Sequence, residues 1–401
     1  YLPVSEPYAP AVYYKGASFG GISVTSVDGG EARIAGEDEN ILEVVPSAPV
    51  YPDESVIFTM TFTVIIPEIE HRLGIGEKTV NLAHFYPVLC AWGGDGFCEH
   101  VYTCCGDPFV SGTADYDVTF TLPAEYHVAH TGAGTRSEDG ELATYHVIAE
   151  DVRDFAMVCS EQFSVLSAEA EGIPVTYCYL DDADPARTLV AATQSLSYYA
   201  ETFGTYEYPS YTVVETGFPY GGMEYPMLSL IADDLPSQDI PLVVAHETAH
   251  QWWYAMIGSD QYHEAWQDEG LAEFSAALFM ESYPEYGRTY AELLSESENA
   301  YRAYYSVSSQ LTGGETAMRR ALVDFTGDYA YRSLVYDKGF ILFDRLRQTM
   351  GETRFFAAVK EYARAHKGTI ASPEMLISCF ASRAPQAEGI FNAFLDGLCV
   401  I

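Results

Sequence analysis

The sequence predicts a protein of two parts: an all-β, sandwich-type domain over residues 1–183, then a mostly helical domain over residues 184–401. Three observations carry this. A chain of 401 residues exceeds what one hydrophobic core usually serves, and 48% hydrophobic residues can fill two. The first half alternates apolar and polar residues with period two. The second half switches to helical spacing.

Taken in order, the strand-like stretches are "SVIFTMTFTVII", "ADYDVTFTLP", "ATYHVIAE", "FAMVCS" and "IPVTYCYL", each rich in Val, Thr, Tyr or Phe and bounded by turn residues. The change falls at "DDADPARTLVAATQSLSYYAETFG", where Asp184 suits a helix cap, Pro185 the first turn and Gly204 the stop. Two further strands, "SYTVVE" and "MLSLIA", precede a helix expected over 241–257 and another over 264–282. Amphipathic helices follow to the end, and no internal repeat is visible.

The net charge of -38, from 58 acidic and 20 basic residues, excludes nucleic acid as a partner, because phosphates would be repelled. No apolar run of about 18 residues occurs, so no membrane span is expected. The chain starts at Tyr1, which fits a processed mature protein or one trimmed of its leader, and an extracellular or cell-surface setting. Eight cysteines (90, 98, 104, 105, 159, 178, 379 and 399) fit disulfides in an oxidising compartment, and equally fit buried thiols. Their 90–105 cluster lacks the paired C-x-x-C spacing of a structural zinc site.

Chemistry concentrates in "HETAHQWW", residues 246–253. On a helix, residues four apart stand above one another, so His246 and His250 can grip one ion. Glu247 projects about 100° around the axis and can reach a water without occupying the metal. The third ligand is Glu269 of "AWQDEGLAEF", after 18 intervening residues that allow a turn into a second helix. Two imidazoles, one carboxylate and an open position form the ligand set of a single catalytic zinc. The competing reading makes Glu269 a first-turn acid on the helix dipole and His250 a hydrogen-bonded core histidine. Glu273, one turn on, is either a hydrogen-bond acceptor for a ligand histidine or a solvated carboxylate.

With "GGMEY" at 221–225 and "VYDKG" at 335–339 in the right order, the chain resembles the aminopeptidase N family of zinc metallopeptidases, gluzincins whose relatives include the leukotriene hydrolases, and within it a short bacterial type. "FYPVLCAW", "GDPFVSGTADYDVTFTLP" and "VRDFAM" extend the likeness over the β-rich half. The resemblance implies a saddle- or sandwich-like β domain, a thermolysin-like catalytic domain and a zinc aminopeptidase acting on peptides with a free amino end. It assigns Glu224 to the substrate α-amine, Gly221, Gly222 and Met223 to the substrate backbone, Glu247 to general base and Tyr336 to the oxyanion, with Tyr331 or Tyr329 as alternatives. Glycines at 221 and 222 would admit an extended substrate strand; otherwise "PYGG" is an ordinary turn.

A C-terminal helical domain, common in the family, is either absent or cut away from this chain, and a second amine-binding residue on the β half has no clear match in "NLAHFYPVLCAW". Three rival functions share these residues: a zinc endopeptidase, an epoxide or ester hydrolase, and a non-catalytic peptide-binding surface protein. Oligomeric state and the preferred side chain have no local signature.

Overall fold

The computed structural model describes residues 20–401 apart from 95, 104 and 312. Its first half turns the alternating stretches into strands. Residues 133–139, 142–152 and 114–123 form an antiparallel sheet in that order, with Tyr145 opposite Phe120 and their rings stacked at 5.0 Å. Every second residue from Ala143 to Ala149 is buried, so this face meets a four-stranded sheet ordered 127–130, 157–160, 80–82 and 73–75. Phe155, Met157, Phe85 and Phe120 fill the space between the two sheets, the sandwich that period-two alternation requires.

A five-stranded sheet follows, in the order 164–170, 173–179, 211–216, 228–232 and 222–225. Strand Ile173–Tyr179 runs parallel to Tyr211–Thr216, with Tyr177 opposite Val213 and both fully buried. A division at residue 183 therefore cuts through a hydrogen-bonded sheet, and the chain enters this layer nearer residue 163. Alternation in "IPVTYCYL" marks a strand but carries no information about which sheet it joins.

Helix α1 (Pro185–Phe203) covers this sheet, with Asp184 capping it and Pro185 opening it. Then come α2 (Ile240–His250), the short α3 (Gln261–Glu264), α4 (Trp266–Ser282) and α5 (Tyr290–Leu311). After α6 (Asp328–Arg332) come α7 (Lys338–Met350), α8 (Glu352–Ala365), α9 (Pro373–Ala381) and α10 (Gln386–Leu395). The helix expected over 241–257 is not uniform: α2 ends at His250 and a π-helical turn takes Gln251–Met256. Both indoles there are buried, Trp252 donating to the Gly204 carbonyl at 2.8 Å and Trp253 to Ser275 Oγ at 3.0 Å. A second π turn, Ser333–Asp337, holds Tyr336. Such turns cluster at functional sites.

Helices α4 and α7 cross at Gly270 and Gly339. A Cβ on Gly270 would stand 3.0 Å from the Gly339 Cα, and one on Gly339 would stand 2.8 Å from the Gly270 Cα. The glycines that end "WQDEG" and "VYDKG" thus let two backbones touch, which brings Glu269 and Tyr336 together.

The two halves are clamped by Arg153 of "VRDFAM". Buried, it donates to the carbonyls of Tyr254 at 2.9 Å, Ser111 at 3.0 Å and Thr369 at 2.6 Å. Cys159, Cys178, Cys379 and Cys399 carry free thiols, and Cys104 lies outside the described residues. Among the described residues no helix is long and apolar enough to cross a membrane.

Candidate active site

His246 and His250 project from the last turns of α2, and Glu269 from the first turn of α4. Their ligand atoms converge: Nε2 to Nε2 is 3.0 Å, and Glu269 Oε2 lies 3.3 Å from His246 and 3.2 Å from His250. An ion about 2.0–2.1 Å from each atom of a tetrahedral site sets edges of about 3.4 Å, so the three atoms fit zinc with one corner left over. The electrostatics ask for a cation there as well. Burial acts to lower both imidazoles, but donating a hydrogen bond to Glu269 and the charge of Glu273 leave His246 up at about 9, and Glu224 and Glu269 raise His250 well above its usual value. Glu269 is opposed by burial yet held far below the usual carboxylate range by His250 and His246.

Glu247 is buried, with Oε2 lacking any protein partner. Burial, reinforced by Glu224 and Glu269 against the pull of His246 and His250, pushes it up to about 8. Its carboxylate lies against Gly222, where any Cβ would collide with it. Gly222 is therefore required by Glu247. Gly221, at φ +88° with open space where a Cβ would stand, borders the cleft.

"GGMEY" is no loose turn beyond Gly221: Gly222–Tyr225 is an edge strand, antiparallel to Leu228–Ala232. Gln251, next to the second histidine, locks that hairpin to α2 by donating to the Tyr225 carbonyl at 3.1 Å and accepting from the Met227 N–H at 2.8 Å. Glu224 is thereby held buried beside the triad, with a carboxylate oxygen within 4.8 Å of ligand atoms of Asp107 and Glu269. Burial, with Asp107 and Glu269 adding and His250 opposing, raises it to about 7. Met223 is buried in the cleft wall, its sulfur 3.4 Å from Arg72 Nε.

Tyr336 lines the same cleft of about 500 Å³ and donates to Glu269 Oε1 at 2.6 Å. Tyr331 packs edge-on against it at 5.7 Å and also lines the cleft. Tyr329 is half exposed against Tyr304 and is not among the lining residues. Glu273 Oε1 stands 3.6 Å from His246 Nδ1, an ion-pair distance too long for a hydrogen bond.

Sequence reasoning missed four groups. Asp107 of "GDPF" comes from the β half, ion-paired to Arg72, and both line the cleft. Asp268 accepts from the Glu269 N–H at 2.9 Å and from Gln261 Nε2 at 2.5 Å, and Gln261 also reaches Glu224 Oε1 at 3.4 Å. Only Asp268 had a local signal, its place beside Glu269 in "WQDEG".

Residues 187–394 match the model described as "Peptidase family M1 domain". Leucine aminopeptidase 2 of Aspergillus terreus is 23% identical over 288 residues, 67% of this chain and 44% of that protein. Leukotriene A-4 hydrolase of Xenopus laevis is 29% identical over 182 residues, 43% of this chain and 29% of that protein. The chain thus spans less than half the length of these curated relatives. Among solved structures, an M1 zinc metallopeptidase from Deinococcus radiodurans superposes with TM-score 0.66 at 18% identity, covering 95% of this chain and 85% of that one. A two-domain M1 zinc metallopeptidase bound to L-arginine gives 0.68 at 16% identity, covering 94% and 84%.

Proposed function

The chain belongs to peptidase family M1, and from that premise we propose that it is a zinc-dependent aminopeptidase, removing residues one at a time from the free amino end of peptides. Relatives named leucine aminopeptidase and a structural neighbour bound to a Tyr-Ser-Ala substrate support the reading. The observation that carries it is Glu224: a buried carboxylate fixed by a strand beside the His246, His250 and Glu269 cluster. An acid at a set distance from the reacting carbonyl pairs with a protonated terminal amine and so measures off one residue.

His246, His250 and Glu269 would hold the zinc, which when bound supplies Lewis acidity toward a carbonyl and lowers the pKa of water. Glu247 takes the proton of the attacking water and returns it to the leaving amine. Burial shifts its carboxyl upward, the direction that favours giving the proton back as well as taking it. Tyr336 donates to the carbonyl oxygen as negative charge grows there, giving up the Glu269 acceptor it uses in this structure. The edge strand at 222–225 offers backbone groups to an extended peptide.

Aminoacyl anilides and their amino-acetylated counterparts, run with and without a chelator, test the proposal. Chelator-sensitive turnover confined to free amines is expected. Equal cleavage of blocked peptides would make this an endopeptidase, turnover of esters or epoxides alone would make it a hydrolase of those, and no turnover with zinc bound would make it a binding protein.

A further inference from the structure

A second set of metal-ligating side chains lies away from the cleft, where the two halves of the chain meet. His100 sits between strands Gly96–Phe97 and Ala114–Pro123 of the β half, Asp260 caps α3 and His263 lies within it. One ligand atom from each lies within 4.8 Å of the other two. A tetrahedral site with bonds of about 2.0–2.2 Å has edges of about 3.3–3.6 Å, so side-chain movements of about an ångström close the cluster on one ion.

We infer that His100, Asp260 and His263 form a second, non-catalytic zinc site that ties the β half to α3. The ligands are already oriented. The His100 ring stacks flat on Tyr262 at 4.2 Å and 6°, and its carbonyl accepts from Asn40 Nδ2 at 3.2 Å. Asp260 caps α3, accepting the His263 N–H at 3.1 Å through Oδ1 while Oδ2 stands 2.8 Å from His263 Nδ1. The rings of His100 and His263 are 5.3 Å apart, two imidazoles facing one carboxylate. Asp324 and Asp38 join Asp260 in making the surroundings negative. Three protein ligands, His100 and Asp260 part-buried and His263 exposed, leave room for water, so this ion is held less tightly than a closed structural zinc.

The site also has reach. The same short helix carries Gln261, which bonds both Glu224 and Asp268. An ion on one face of α3 therefore steadies a side chain at the acidic end of the cleft.

The inference does not depend on peptidase activity. Tag-free full-length protein is dialysed against low-micromolar free zinc, and bound zinc is counted by metal analysis. Two ions per chain are expected for the wild type, one for His263→Ala, one for His246→Ala, and none for the double variant. His100→Phe keeps the stack on Tyr262 while removing the ring nitrogens, and it too is expected to bind one. Zinc added after the first equivalent should raise the melting temperature of the wild type and leave that of His100→Phe unchanged. A wild-type count of one, or a second ion that persists in both His263→Ala and His100→Phe, overturns the site. The count in His246→Ala reports separately on the catalytic cluster.

Discussion

The Tyr336 hydroxyl donates to Glu269 Oε1 at 2.6 Å, so the group assigned to the oxyanion is tethered, before substrate arrives, to a carboxylate assigned to the zinc. Tyr336→Phe separates the two roles. If oxyanion stabilisation dominates, kcat falls about 100- to 1000-fold with KM and bound zinc near wild type. A variant that turns over normally, or one that loses zinc in proportion to activity, removes the oxyanion assignment.

Glu224 invites a comparison between substrates. A charge-assisted bond to a terminal amine contributes about 1.5–3 kcal/mol, so Glu224→Ala should cut kcat/KM on free-amine substrates about 10- to 150-fold. Amino-acetylated peptides make no such bond, so as competitive inhibitors they should bind the variant as well as the wild type. Parallel losses on both would show that the carboxylate shapes the site without reading the amine.

Gly222 and Gly221 are neighbours with different physics, and alanine scanning should separate them. A methyl group at 222 meets the Glu247 carboxylate. Displacing a base by an ångström costs about 100-fold in rate, so Gly222→Ala should lose activity with zinc still bound. At 221 the methyl group meets open space but the backbone is left-handed, so Gly221→Ala should cost about 1 kcal/mol of stability and little rate. Reversed phenotypes would contradict the positions described.

These pairs show what was legible in the sequence. Features set by local spacing read directly: the i, i+4 histidines, Asp184 and Pro185 opening α1, and the strand at 114–123. What needed the third dimension did not. Asp107 and Arg72 reach the cleft from the β half across a domain junction that no local pattern encodes. Glycine in "GGMEY" signalled close approach, but not that the approaching group at 222 is Glu247. The strand at 173–179 looked like its predecessors because alternation records burial of a face and not the identity of the covering sheet. The π turns, which depend on seating Trp252, Trp253 and Tyr336, leave no periodic trace.

Arg153 supplies a prediction about the whole molecule. Its guanidinium satisfies three carbonyls from three segments, two of them in the helical half, and Gly258 has no side chain because that guanidinium fills the space. Met in its place avoids burying a charge, a gain that offsets part of the loss. Three carbonyls nevertheless lose their donors at about 1–3 kcal/mol each, so a net loss of about 2–4 kcal/mol is expected for Arg153→Met in urea unfolding. Because the lost bonds span the junction, the transition should also broaden or split as the halves come apart separately. A single transition at the wild-type midpoint would mean that the halves are held by apolar packing, with Arg153 a passenger.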